Sequence, residues 1–167
     1  MNNQLISWSM FLLPWFTLAF MDRESIKRYF PVGLFASVTT VIVHDIGITY
    51  GLWEVREATI PFTEVMPYFF GSVPVLTMWI FKFTNGHLGL YMLVNIILDV
   101  GFAFFILGWL FPRLGLYSLV GITPYQVLLV NAGHALTLYV YQKWQEGETI
   151  NLFLPKLQTV ARKPKKD

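Results

Sequence analysis

A chain of 167 residues that is 55% hydrophobic and 13% charged, with mean hydropathy +0.53, carries about half the charge a soluble domain uses to cover its surface. The absence of cysteine excludes disulfides, iron–sulfur clusters, thiolate zinc and cysteine nucleophiles. The net charge of +2 is gathered in short clusters and forms no broad basic face for a nucleic acid, so the expected partner is a lipid bilayer.

Five apolar stretches are read as helices that cross a hydrocarbon core of about 30 Å, which takes about 20 residues each. The first covers 5–21 and contains Pro14. A cleaved signal peptide competes with it, but no Lys or Arg precedes the run and no small-x-small site follows Phe20, so a retained helix is expected. A polar loop, Asp22 to Tyr29, leads to the second span at 32–53. The loop from Glu54 to Thr63 follows, then the third span at 66–83, with Pro74 inside. The breaker Thr84-Asn85-Gly86-His87 separates it from the fourth span at 88–111, which Pro112-Arg113-Leu114-Gly115 stops. The fifth covers 116–144 with Pro124 inside. An all-α bundle over 1–144 is therefore expected, because an open sheet edge has no hydrogen-bond partner in lipid.

The tail, 145–167, changes character: Ile150 to Leu154 can lie along an interface, and Lys163, Lys165 and Lys166 form a basic tag. Five spans put the first loop, the third loop and the tail on one side, with ten of the twelve basic residues; only Arg56 and Arg113 fall on the other. Positive residues stay in the cytoplasm, so the N-terminus is expected outside and the C-terminus inside.

Polar side chains inside these spans are the candidate site. They are His44 and Asp45 on span two, Asn95 and Asp99 on span four, and Gln126, Asn131 and His134 on span five. A charge at the bilayer centre costs about 2.5–3.5 kcal/mol, so these groups must face one another, a cavity or water. At a rise of about 1.5 Å per residue, Asp45, His44, Gln126 and Asp99 lie roughly 12–18 Å from the outer ends, and the other three roughly 22–27 Å. That arrangement is a slanted track from the outer third to the inner third.

Three readings compete for the track. It passes or binds a proton, ion or small polar ligand; or His44, Asp45, Asp99 and His134 hold a metal in an intramembrane enzyme; or the side chains only hydrogen-bond across helices in a structural subunit. No metalloprotease-type His spacing, phosphate loop, GxSxG or dinucleotide fingerprint is present. Gly47 and Gly51 form a GxxxG face for close helix approach, either within the bundle or in a homo-oligomer. Trp53, Trp109 and Trp144 at span ends are read as an interfacial aromatic belt, and His87 as an interfacial residue.

The basic segment Ser25-Ile26-Lys27-Arg28-Tyr29-Phe30-Pro31, entering a span that ends in Asp45-Ile46-Gly47-Ile48 and then Trp53, resembles a family of small multi-pass membrane proteins of spore-forming Gram-positive bacteria. The resemblance implies a bacterial plasma membrane and four to five helices, and supplies no reaction, ligand or cofactor. The size and aromatic content are also similar to those of tryptophan-rich sensory proteins, but their Asn/Trp signature is absent. The expected function is passage or binding of a proton, ion or small polar ligand along the polar interior.

Overall fold

The computed structural model describes residues 3–62, 66–84 and 86–148; the tail segment from Ile150 to Leu154 and the terminal lysines lie outside these. The architecture is all-α, as expected. Among the described residues five helical elements run α1 (Asn3–Thr17), α2 (Arg23–Thr49), α3 (Ser72–Thr84), α4 (Leu88–Leu114) and α5 (Pro124–Gln145), with short strands β1 (Trp53–Val55) and β2 (Tyr117–Leu119) in two of the connections. Two of these helices, α2 and α4, are each long and apolar enough to cross a membrane.

Helix boundaries follow capping chemistry more closely than apolar runs. α2 begins at Arg23, well before the apolar run at Val32, because the Asp22 carboxylate accepts the Ser25 amide at 2.7 Å and Glu24 sits in the first turn. The polar segment expected to be a loop is thus the first two turns of α2. α5 begins at Pro124, not at Leu116. Thr123 and Gln126 close a reciprocal capping box there, with Pro124 at the first helical position, where its missing N–H costs nothing. Of the residues before it, expected in the fifth span, Tyr117–Leu119 form β2. Likewise 67–69 is a short 3₁₀ turn ahead of α3, and Pro74 lies in the first turn of that helix.

α2 presents an apolar face outward. Leu34, Val38, Ile42, Ile46 and Tyr50, one every four residues, are exposed together with Asp45, while Tyr29, Val32, Gly33, Ala36, Ser37, His44 and Gly47 are buried. α4 repeats the pattern: Leu93, Ile97, Phe105 and Trp109 face outward, whereas Tyr91, Ala103, Leu107 and Phe111 are buried and Asn95 and Asp99 half-buried. The inward set on α4 also recurs every four residues. An α-helix would rotate such a set by about 40° per step and carry it off the core. Residues Gly101–Leu110 adopt π winding, in which the Phe111 amide donates to the Ile106 carbonyl, and this wider turn keeps the series facing inward.

The helices alternate in direction, so their ends gather at two poles. At one pole β1 and β2 pair antiparallel, Trp53 opposite Leu119 and Val55 opposite Tyr117. Asn3 bridges Glu57 and the Leu114 carbonyl, and Gln4 holds the Ala58 carbonyl and the Ile60 amide. At the opposite pole Lys82 meets Asp22 at 2.8 Å, Arg28 meets Glu146 at 2.6 Å, Lys143 meets Glu148 at 2.6 Å, and the Tyr139 hydroxyl donates to the Gly86 carbonyl. α1 is packed onto the rest: Ser72 donates to the Met10 carbonyl, Trp79 to Thr17, and Gly71 touches the Phe11 backbone so closely that any side chain there would collide with it.

Candidate functional site: an aromatic cavity under the sheet

His44 lies near the C-terminal end of α2 and is 4% exposed. Its ring meets Phe69 edge-on at 4.8 Å and lies nearly parallel to Trp53 and Tyr117 at 6.2 and 6.1 Å. Trp53 reaches this position because the chain turns sharply at Gly51, whose φ of 65° is a left-handed conformation glycine adopts without strain. The Trp53 indole N–H donates to the His44 carbonyl at 3.1 Å, and its ring covers Gly47, where a Cβ would approach within 2.0 Å. The GxxxG spacing is thus used inside the chain at Gly47, and Gly51 lies beyond the helix. Trp53, expected in an interfacial belt, is instead buried; Trp109 and Trp144 are exposed.

Beneath the sheet these residues line a partly open cavity of about 70 Å³. His44, Thr40, Trp53, Tyr117, Tyr68, Phe69, Phe102 and Asn131 line it together with the aliphatic Val43, Leu107, Val127 and Val130. Asn131 is held from behind by α4, its amide donating to the Asp99 carboxylate at 3.2 Å. Of the seven residues singled out in the sequence, the structure therefore brings His44, Asn131 and Asp99 to one place.

The other four lie elsewhere. His134 Nε2 is 2.6 Å from the Thr39 hydroxyl, which also lies 2.8 Å from the Phe35 carbonyl. A hydroxyl has one proton; spent on Phe35, it leaves Thr39 to accept from a protonated Nε2. Asn95 donates to the Tyr91 carbonyl of its own helix, and the Tyr91 hydroxyl crosses to the Ala135 carbonyl. Gln126 is exposed and occupied in the α5 cap. Asp45 is exposed on the outer side of α2. Among the described residues no three His, Asp or Glu side chains gather into a group that could hold a metal, so the four-donor set of the metal reading is dispersed.

Sequence reasoning missed the aromatic half of the site. Tyr68, Phe69 and Tyr117 sit in connections, and a ring in a connection carries no periodic signal. The density of Trp and Tyr on both sides of the second loop was the available cue. No family model, curated protein or solved structure matches this chain, so the site is read from its own geometry.

Proposed function

We propose that this is a multi-pass protein of a bacterial plasma membrane whose five helices all cross the bilayer, and that it binds a small polar solute in the cavity beneath β1 and β2. The observation that supports the membrane setting is the run of Leu, Ile, Val and Phe facing outward along α2 and α4. In water so large an exposed apolar surface would drive association; in lipid it is the solvated face. α1 and α3, of 15 and 13 residues, are short for a crossing and rely on the adjoining 3₁₀ turns to add length. The ten-to-two distribution of basic residues puts the sheet pole outside and the ion-paired pole in the cytoplasm.

The cavity carries the binding reading. A volume of about 70 Å³ exceeds the ~10–15 Å³ that one water needs by several-fold, and Thr40, Tyr117 and Asn131 bring polar side chains to its wall. By contrast the His134–Thr39 pair and the Asn95–Tyr91–Ala135 chain are closed hydrogen bonds, and they serve as glue between helices.

The chain contains no cysteine, so single cysteines report cleanly. Thr40→Cys lines the cavity and should react with methyl methanethiosulfonate in the folded protein, whereas Ala135→Cys, buried away from it, should react only after denaturation. Equal protection of both positions would mean a dry, packed interior and would remove the binding reading. For topology, Glu57→Cys should label from outside intact cells and a reporter fused after Asp167 should be active only in the cytoplasm. The reverse pattern rejects the orientation.

A further inference from the structure

We infer that the cytoplasmic end of the exposed face of α2 is a docking site for anionic lipid, with Arg23 and Lys27 holding the headgroup phosphate; this rests on the membrane reading above and is independent of the cavity. Five basic residues are described at the ion-paired pole. Lys82 is neutralised by Asp22, Arg28 by Glu146, and Lys143 by Glu146 and Glu148. Arg23 and Lys27 are exposed and, among the described residues, make no ion pair. At about 100° per residue, Arg23, Lys27, Phe30, Leu34 and Val38 fall within about 80° of one another, on one stripe of the helix. Phe30, Leu34 and Val38 are exposed along it. Glu24 lies to one side of the stripe and pairs with neither cation. Nor is the helix start itself the attraction, because Asp22 already caps it.

The length of the stripe fixes the depth of the cations. Asp45, exposed on the same stripe near the other end of α2, lies roughly 27 Å from Lys27 along the helix axis. A hydrocarbon core is about 30 Å thick, so the two charges bracket it and Lys27 stands at the inner headgroup level, with Arg23 one turn beyond. A lipid whose acyl chains run along Phe30, Leu34 and Val38 therefore has its phosphate beside both cations. Arg donates to phosphate with two parallel N–H groups and Lys supplies a point charge, each keeping its stem on the apolar face. A zwitterionic headgroup would bring a cation of its own against this pair, whereas an anionic one brings none. A free phosphate would meet two solvated side chains and none of the apolar stripe.

The chain has no cysteine, so a bimane fluorophore can be attached to the full chain at Leu34→Cys, beside the site, or at Ile46→Cys, toward the far end of α2. Labelled protein is reconstituted in phosphatidylcholine vesicles containing either phosphatidylglycerol or phosphatidylcholine brominated on its acyl chains, and quenching is measured. Brominated phosphatidylglycerol is expected to quench the Leu34 label with an apparent affinity about fivefold above brominated phosphatidylcholine, and the Ile46 label with no preference. Arg23→Gln with Lys27→Gln should abolish the preference without disturbing the helix, since Gln is a good helix former. Changing Lys163, Lys165 and Lys166 to Gln should leave it intact. Equal quenching of the Leu34 label by the two lipids overturns the inference, and so does a preference that survives Arg23→Gln with Lys27→Gln. Loss of the preference on adding inorganic phosphate, against chloride of equal ionic strength, would make the pair a free-phosphate site and overturns the lipid assignment. Quenching of neither label by either lipid would overturn the membrane reading, and this inference with it.

Discussion

The two poles of the bundle are built by opposite means. At the sheet pole, backbone pairing between β1 and β2 and a dense set of rings hold the connections, and the interior beneath them remains partly empty. At the other pole, side-chain ion pairs and amides tie α2, α3 and α5 together: Arg28 to Glu146, Lys82 to Asp22, and Gln142 and Gln145 to the Arg28 carbonyl. Flexible charged side chains fill whatever space they are given. Rings fixed by backbone pairing cannot, and a cavity survives between them. The pole that holds space is therefore the one with shape, and the pole that holds charge is the one closed.

The largest effect expected is at Gly47. With Trp53 ring atoms 2.0–2.6 Å from any added Cβ, Gly47→Val must expel the indole, and with it the wall of the cavity and the approach of β1 to β2. A loss of about 3 kcal/mol is expected, read as a lower unfolding temperature together with a red-shifted tryptophan emission. Unaltered emission in a destabilised variant would show that Trp53 had not been displaced and would break the link between Gly47 and the cavity. Gly71→Ala should cost about 1–3 kcal/mol by pushing α1 away from α3, without touching solute binding.

At the ion-paired pole the expected losses are smaller and depend on pH. Hydrogen bonds from Lys82 and the Ser25 amide hold the Asp22 carboxyl well below its ordinary value. Burial raises that of Glu146, but the hydrogen bonds from Arg28 and Gln142 outweigh it and the net direction is also downward. Both groups bind protons more readily in the unfolded chain. Their contribution is complete above the ordinary values of 3.8 and 4.5, and is lost as pH falls through the lowered folded values. Thermal unfolding measured from pH 7 to 3 should fall with acid, and Asp22→Asn with Glu146→Gln should flatten that slope. An unchanged slope would assign the acid sensitivity to carboxylates outside these pairs. At neutral pH Arg28→Ala should cost no more than about 1 kcal/mol, because the guanidinium is half-exposed.

The smallest effects sharpen the comparison by locating the cavity's edge. Gln126→Ala removes half of the α5 capping box and should cost about 1 kcal/mol with no change in solute binding. Asp45→Asn, on the exposed side of α2, should change neither binding nor stability measurably. A loss of Thr40→Cys reactivity on adding Asp45→Asn would extend the site to the outer face of α2.

Much of the fold is legible in the sequence alone. Each of the five apolar runs overlaps one of the five helices, although only α2 and α4 are long and apolar enough to cross a membrane. The same reasoning singles out His44, Asp99 and Asn131, which do turn inward, but also Asp45 and Gln126, which are exposed. It overextends span five through Leu116–Thr123, where an apolar strand and an apolar helix turn look alike, and it begins α2 too late, because Asp22 and Glu24 read as loop although they form a helix start. It also joins Gln126 and Asp45 to the polar track by depth alone, and depth does not specify which side of a helix faces the core.

What the sequence by itself determined is composition along each helix: where the chain is apolar, where its charges cluster, and which polar groups interrupt the apolar runs. Those are one-dimensional properties, set by transfer free energies residue by residue. What only the tertiary structure decided is which of those groups share a space. Trp53 turns inward because Gly51 reverses the chain and Gly47 leaves room for the indole, and the Asp99 series stays inward because Gly101–Leu110 winds wider than an α-helix. Each depends on a rotation about a helix axis or a reversal of a few residues, and such angles are fixed by packing against neighbours that no single segment contains.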